Sequence, residues 1–195
     1  PTPAYTVGQR FTFVPAVTNT GATTLNISSV GAGAVQLGGA ALVGGELVAG
    51  MPVTVYVTAA TPVFEIVGPL GALTGTTAST FTFNGSGGTT ASQTMAWHKN
   101  GRIVSLYIPA VQGTSGTSST TLISDTALPA AIRPTTVQVC FGVQYNNGGI
   151  NASPSLIEVN TNGTITIIRD ATSLAWTNSV ACGLGNAQTF SYTLV

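Results

Sequence analysis

Alternation of apolar and polar positions with a period of two runs through most of this chain and predicts strands. In TVGQRFTFVPAV, Phe11 and Phe13 fall on one side of a strand and Arg10, Thr12 and Val14 on the other. A turn follows at Asn19-Thr20-Gly21, and then Leu25 and Ile27 alternate with Thr24 and Asn26. GAGAVQLGGAALVGGELVAGMP is punctuated by glycine too closely for a long helix. PVTVYVTAATPVFEIVG gives two more strands, Val53/Val55/Val57 and Phe64/Ile66, around a loop at 58–62. PLGALTGTTAST, residues 69–80, shows no clear period and reads as a linker.

Beyond residue 80 the strands lengthen. Asn100-Gly101 lies between two alternating runs, the strongest short hairpin signal, because both residues of such a turn take positive φ. A two-residue loop there pairs Lys99 with Arg102, His98 with Ile103, Trp97 with Val104 and Met95 with Leu106. Met95, Trp97, Val104, Leu106 and Ile108 then share one apolar face, while Lys99 and Arg102 sit at a solvated tip and His98 lies on the opposite face. TTLISDTAL, TTVQVCFGVQY, SLIEVNTNG, GTITIIRD and TFSYTLV add further strands, separated by Pro, Gly and Asn clusters. This spacing predicts an all-β chain: a small N-terminal β domain over residues 1–68, a linker at 69–80, and a C-terminal antiparallel β-sandwich over 81–195.

Charge sharpens the picture. Five basic and five acidic side chains make up only 5% of 195 residues, while 44% are hydrophobic and mean hydropathy is +0.40. So few charges leave a monomer little to keep it apart from its copies, which predicts apolar surface buried between subunits. A net charge of zero gives no electrostatic footprint for nucleic acid. No stretch reads as a signal peptide, and the opening PTPAYTVGQR without an initiator Met suggests a piece of a longer protein. The uncharged run at 11–45 is broken by Asn and Gly pairs, so it is no membrane helix. Strand spacing is too uneven for a membrane barrel. Cys140 and Cys182 read as two free thiols; a single disulfide is the alternative, which spacing does not decide.

The supply of catalytic groups is thin. Glu46, Glu65, Asp125, Glu158 and Asp170 are scattered, whereas a glycosidase needs two facing carboxylates. The lone His98 builds no metal site unaided, although three copies meeting on an axis could. No G-x-S-x-G elbow, phosphate loop or dinucleotide fingerprint is present. Nothing acidic or nucleophilic adjoins the basic cluster at 98–102, so it reads as a surface turn. The expectation is no catalytic residue, no cofactor and no metal.

Certain stretches resemble a known family. NTGATTLN, GGAAL and GELVAGMPV in the first half are similar to a module of bacteriophage tail fibre proteins. NGRIVSLYIP, LPAAIRP, TNGTITI and the closing TFSYTL resemble the tip domain of such fibres. The resemblance implies a homotrimer at the distal end of a tail fibre on the virion. It would be joined to the remainder of the fibre and attach to a bacterial cell-surface glycan or other outer-surface receptor without catalysis. A depolymerase fragment of a tail spike and a purely structural fibre segment are the alternatives. There are no HxH metal repeats, collagen-like runs or heptads, so the trimer would rest on β packing.

Receptor contacts are expected on loops carried by the sandwich. QYNNGGINASP, residues 144–154, combines Tyr145 with the amides of Asn146, Asn147 and Asn151; LAWTNS, residues 174–179, adds Trp176 and Asn178. Aromatic faces stack on sugar C–H surfaces, and amides supply paired donors and acceptors. The bland readings are a polar turn for the first segment and a core tryptophan for the second.

Overall fold

A computed structural model describes residues 4–59, 61–85, 88–172 and 174–194, with no side chain described at 152. The described chain is all-β: 52% strand, 2% helical and built of three sheets. It divides into two compact units, residues 1–73 with 99–102, and residues 74–98 with 103–195.

The first unit holds β1 (Arg10–Phe13), β2 (Thr23–Asn26), β3 (Ala32–Leu37), β4 (Ala40–Ala41), β5 (Val53–Ala59) and β6 (Val63–Gly68). They form one sheet in the order β1-β5-β6-β3-β2, with β4 paired to β3. Among the described residues of this sheet only the β3–β6 pair is parallel. The alternation works as expected. Val53, Val55, Val57, Phe64 and Ile66 are buried with Val35, Leu42 and Leu47. Phe11 and Phe13 pack against them while Val14 faces out. Tyr5 and Phe64 meet edge to face at 5.2 Å, a favoured aromatic geometry. Ala60, inside the expected 58–62 loop, lies outside the described residues.

Lys99 corrects the expected solvated tip. It is fully buried within the first unit and pairs with the equally buried Glu46, Nζ to Oε1 3.6 Å. Its ammonium also donates to the Gly44 carbonyl. Lys99 shares strand parity with Met95, and a buried carboxylate from a distant segment meets it. Arg102 donates to the Ala41 carbonyl at 2.8 Å. The turn differs too. The strand before it runs through Asn100 and the next begins at Ile103, so the loop is Gly101-Arg102. Gly101 alone has positive φ, 57°, where the expectation gave it to Asn100 as well. Glycine at the first loop position is what a type II′ turn asks for. Moving the loop by one residue moves each cross-strand partner by two, so the faces are unchanged.

Residues 69–80 are no linker. β7 (Ala72–Ser79) runs through them, and the division between units falls at 73/74. Its Ala, Thr, Gly and Ser alternate between exposed and covered positions, but they differ too little in polarity for that period to show in sequence. After it come β8 (Phe81–Phe83), β9 (Gln93–Asn100), β10 (Ile103–Ile108), β11 (Val111–Thr114) and β12 (Thr121–Ser124). A single 3₁₀ turn at Ala130–Ile132 precedes β13 (Gln138–Asn146), β14 (Gly149–Val159), β15 (Ile165–Ile168), β16 (Ala181–Leu184) and β17 (Gln188–Thr193).

The order β17-β10-β9-β7 makes a four-stranded sheet, and β11-β16-β13-β14-β15-β12-β8 a seven-stranded one. Met95, Val104, Leu106 and Ile108 of the first, with Phe81, Phe83, Leu122, Ile157, Ile165 and Ile167 of the second, are buried. Trp97, expected on the apolar face, is only half-buried. The opposite face of the seven-stranded sheet is open and carries apolar side chains, with Glu158 and Thr166 in the row between Val139 and Ile123. Val139, Phe141 and Ile123 are 56%, 66% and 39% exposed. Phe141 stands across from Leu156, which stands across from Ile168.

Candidate functional site

The two candidate segments meet at one end of the seven-stranded sheet. Residues 144–154 are not a loop but the tip of the β13–β14 hairpin. Only Asn147-Gly148 connects the strands, with φ of 55° and 75°. Two positive values in a two-residue connection fit a type I′ turn, which matches the twist of paired strands. Beside it runs the 174–181 segment. The Gly148 N–H donates to the Ala181 carbonyl at 3.3 Å.

Asn146 joins the two segments and is not a surface contact. It ends β13 on the inward side and is 8% exposed. Its Nδ2 donates to the Thr177 hydroxyl at 2.9 Å, and its Oδ1 accepts the Thr177 N–H at 3.0 Å. The Cys182 thiol approaches the same oxygen at 2.9 Å. An amide so occupied holds two segments in register and has little left for a ligand. Trp176 is likewise removed from the candidate surface. It is 2% exposed, lies edge to face on Phe83 at 6.4 Å, and its backbone N–H donates to the Ser119 carbonyl at 2.7 Å. The core reading of this tryptophan holds because its ring fills the interior beside Phe83.

Four expected residues stay within reach of solvent. Asn147 projects from the turn, exposed. Asn151 is exposed, with its Nδ2 held by the Asn146 and Gly149 carbonyls at 3.3 Å each. Asn178 is exposed, and its Oδ1 accepts the Ser179 hydroxyl at 3.2 Å. Tyr145 is half-buried in β13, across from the 63%-exposed Ile150. The surface that remains is three neutral amides beside one exposed aliphatic side chain. It can exchange hydrogen bonds with a hydroxylated ligand, but carries no charge to hold an ion.

A comparison with protein families and with curated proteins finds no match to the chain. The site is therefore read from its own chemistry. Among the described residues no group of three or more His, Cys, Asp and Glu is placed to hold a metal ion. No described helix is long and apolar enough to cross a membrane. Four of the acids hold backbone or side chains in place. Glu46 accepts the Val43 and Gly44 N–H groups, and Glu65 accepts those of Gly38 and Gly39. Asp125 accepts the Thr80 and Thr82 hydroxyls, and Asp170 accepts the Thr172 N–H and hydroxyl. Both cysteines are free thiols. Burial pushes the Cys140 thiol up to about 11, so it stays protonated and unreactive at neutral pH.

Sequence reasoning passed over one face. On the four-stranded sheet Tyr107 stands across from Thr189, and Ser105 across from Ser191, with their two hydroxyls 2.8 Å apart. The signal was available in the alternation of IVSLYIP and TFSYTL, whose polar positions all fall on one side. They were read only for the apolar half of that alternation.

Proposed function

We propose that this chain is the receptor-binding tip region of a bacteriophage tail fibre: a homotrimer at the distal end of the fibre, joined to the rest of it. The second unit is read as a β-sandwich that presents neutral amides to a bacterial surface glycan, without catalysis. One observation carries the reading. Two segments distant in sequence are clamped together by the paired Asn146–Thr177 hydrogen bonds, and the clamp leaves Asn147, Asn151 and Asn178 facing solvent. A surface turn with no ligand has no need of a rigid base. A binding site does, because ordering side chains before contact lowers the entropic cost of association. The motifs NTGATTLN and NGRIVSLYIP support the same reading through their resemblance to fibre modules.

Single amide sites bind weakly, on the order of millimolar, and three copies on one axis raise avidity about a hundredfold or more. An Asn147→Ala/Asn178→Ala variant is expected to stay folded, with a small drop in melting temperature because alanine tolerates the positive φ at 147 less well than asparagine, and to lose attachment to host cells. Attachment equal to that of the parent would place the receptor contact elsewhere. Release of new reducing ends from host polysaccharide would assign the chain to the depolymerases instead.

A further inference from the structure

The four-stranded sheet carries an open hollow of about 480 Å³ on the second unit. Its walls include Thr74 and Thr76 of β7, Trp97 and His98 of β9, Tyr107 of β10 and Thr189 of β17. The volume falls in the range of roughly 300–1,000 Å³ typical of small-molecule sites. We infer that this hollow is a binding site for a neutral saccharide, with the Tyr107 ring as its platform and the surrounding hydroxyls as its hydrogen-bonding rim.

The chemistry of the walls selects the ligand. No Lys, Arg, Asp or Glu lines the hollow. An ionised ligand would lose water there and gain no counter-charge, a costly exchange. The exposed lining is mostly carbon, which suits a ligand with a C–H face, and the Thr74, Thr76, Tyr107, Thr189 and His98 side chains make no hydrogen bond among the described residues, which leaves them for that ligand's hydroxyls. A pyranoside meets both demands. It offers hydroxyls to the Thr, Tyr and His groups and a C–H face to an aromatic ring. Tyr107 is 41% exposed, so its ring is available. It is also held firmly. β10 is flanked by β9 and β17, and Leu106 and Ile108 on either side of Tyr107 are fully buried. Gly75 completes the shape. A Cβ there would lie 2.3 Å from the Trp97 ring, so any larger residue would push the indole from its place.

This site is on a different sheet from the amide surface, and its test does not depend on that surface being a receptor contact. Saturation-transfer NMR would be run on the whole chain with the methyl glycosides of glucose, galactose, mannose and N-acetylglucosamine, and with sialic acid as the anionic control. At least one neutral glycoside is expected to bind with a millimolar dissociation constant. Binding should weaken about tenfold or more in Tyr107→Ala and severalfold in Thr189→Val. It should be unchanged in Asn147→Ala/Asn178→Ala. Should Tyr107→Ala fail to fold, Thr189→Val decides the matter, since it keeps the shape of an exposed side chain and removes only the hydroxyl. The inference is overturned if no neutral glycoside binds at roughly 20 mM, if binding persists unchanged in the folded hollow variants, or if sialic acid alone binds.

Discussion

Glu46 is buried with four donors around it. The Asn19 amide donates at 3.0 Å, the Val43 and Gly44 N–H groups at 3.0 and 2.8 Å, and Lys99 stands 3.6 Å away. Burial pushes its carboxyl up, but the Asn19 and Val43 hydrogen bonds and the Lys99 charge outweigh it, and the net shift is downward. Burial also lowers Lys99, against the pull of Glu46. The downward shift of Glu46 sets a pH dependence. In acid the unfolded chain takes up its proton before the folded chain does, so this stabilisation is complete above the ordinary carboxylate range and fades as pH falls below it. Chemical unfolding followed from neutral pH into acid should show the folded state losing stability across that window. In Glu46→Gln the same titration should be flatter. At neutral pH that variant should be about 3–5 kcal/mol less stable, because Lys99 is left buried without a counter-charge. A profile identical to the parent's would show that the pair does not act this way.

At the scale of elements, β16 depends on Gly183. Its φ is 140°, and a Cβ there would fall 2.0 Å from the Val111 carbonyl oxygen on β11. That neighbour is backbone and cannot turn aside. Gly183→Ala should therefore cost about 2 kcal/mol or more in thermal unfolding, while the exposed Ala181→Ser on the same strand should change little. Such a strand was hard to read. ACGL has almost no polar contrast, and β7 had the same difficulty. By contrast β5, β6 and β10 were legible from Val, Ile, Phe and Leu at every second position, where burial and period reinforce each other. Turn chemistry was legible only in part. The chain has four Asn-Gly pairs, at 84–85, 100–101, 147–148 and 162–163, and among the described residues positive φ at both positions occurs at 147–148 alone. The amide site shows the same limit. Asn147, Asn151 and Asn178 were recognisable as polar residues near turns. The inward aim of Asn146 and Trp176 is set by strand parity and by Thr177 and Phe83, partners that no local window contains.

For the whole molecule, the open face of the seven-stranded sheet is the feature that bears on assembly. Val139, Phe141 and Ile123 stand exposed there beside the half-buried Leu156 and Ile168, and the chain has little charge with which to keep its copies apart. Exposed apolar patches of this kind mark interaction surfaces. In the proposed trimer this face meets its neighbours. Phe141→Asp is then expected to lower the mass measured by light scattering from that of a trimer to that of one chain, with the β-sheet circular dichroism retained. A parent that already runs as a monomer at micromolar concentration would sink the trimer reading.

The strand order also bears on how the protein is made. β16 lies between β11 and β13, and β17 pairs with β10. β16 therefore closes a gap and β17 covers an edge, each beside a partner that emerges from the ribosome long before it. Synthesis at about 5–20 residues per second leaves β11 without β16 for on the order of ten seconds. Through that interval the nascent chain holds unpaired edges and uncovered valines and isoleucines, the state in which β-rich chains stick to one another. Production of this protein will accordingly favour slow translation and low temperature. A truncation that removes residues 181–193 would leave the second unit as an open edge on the ribosome and prone to aggregate.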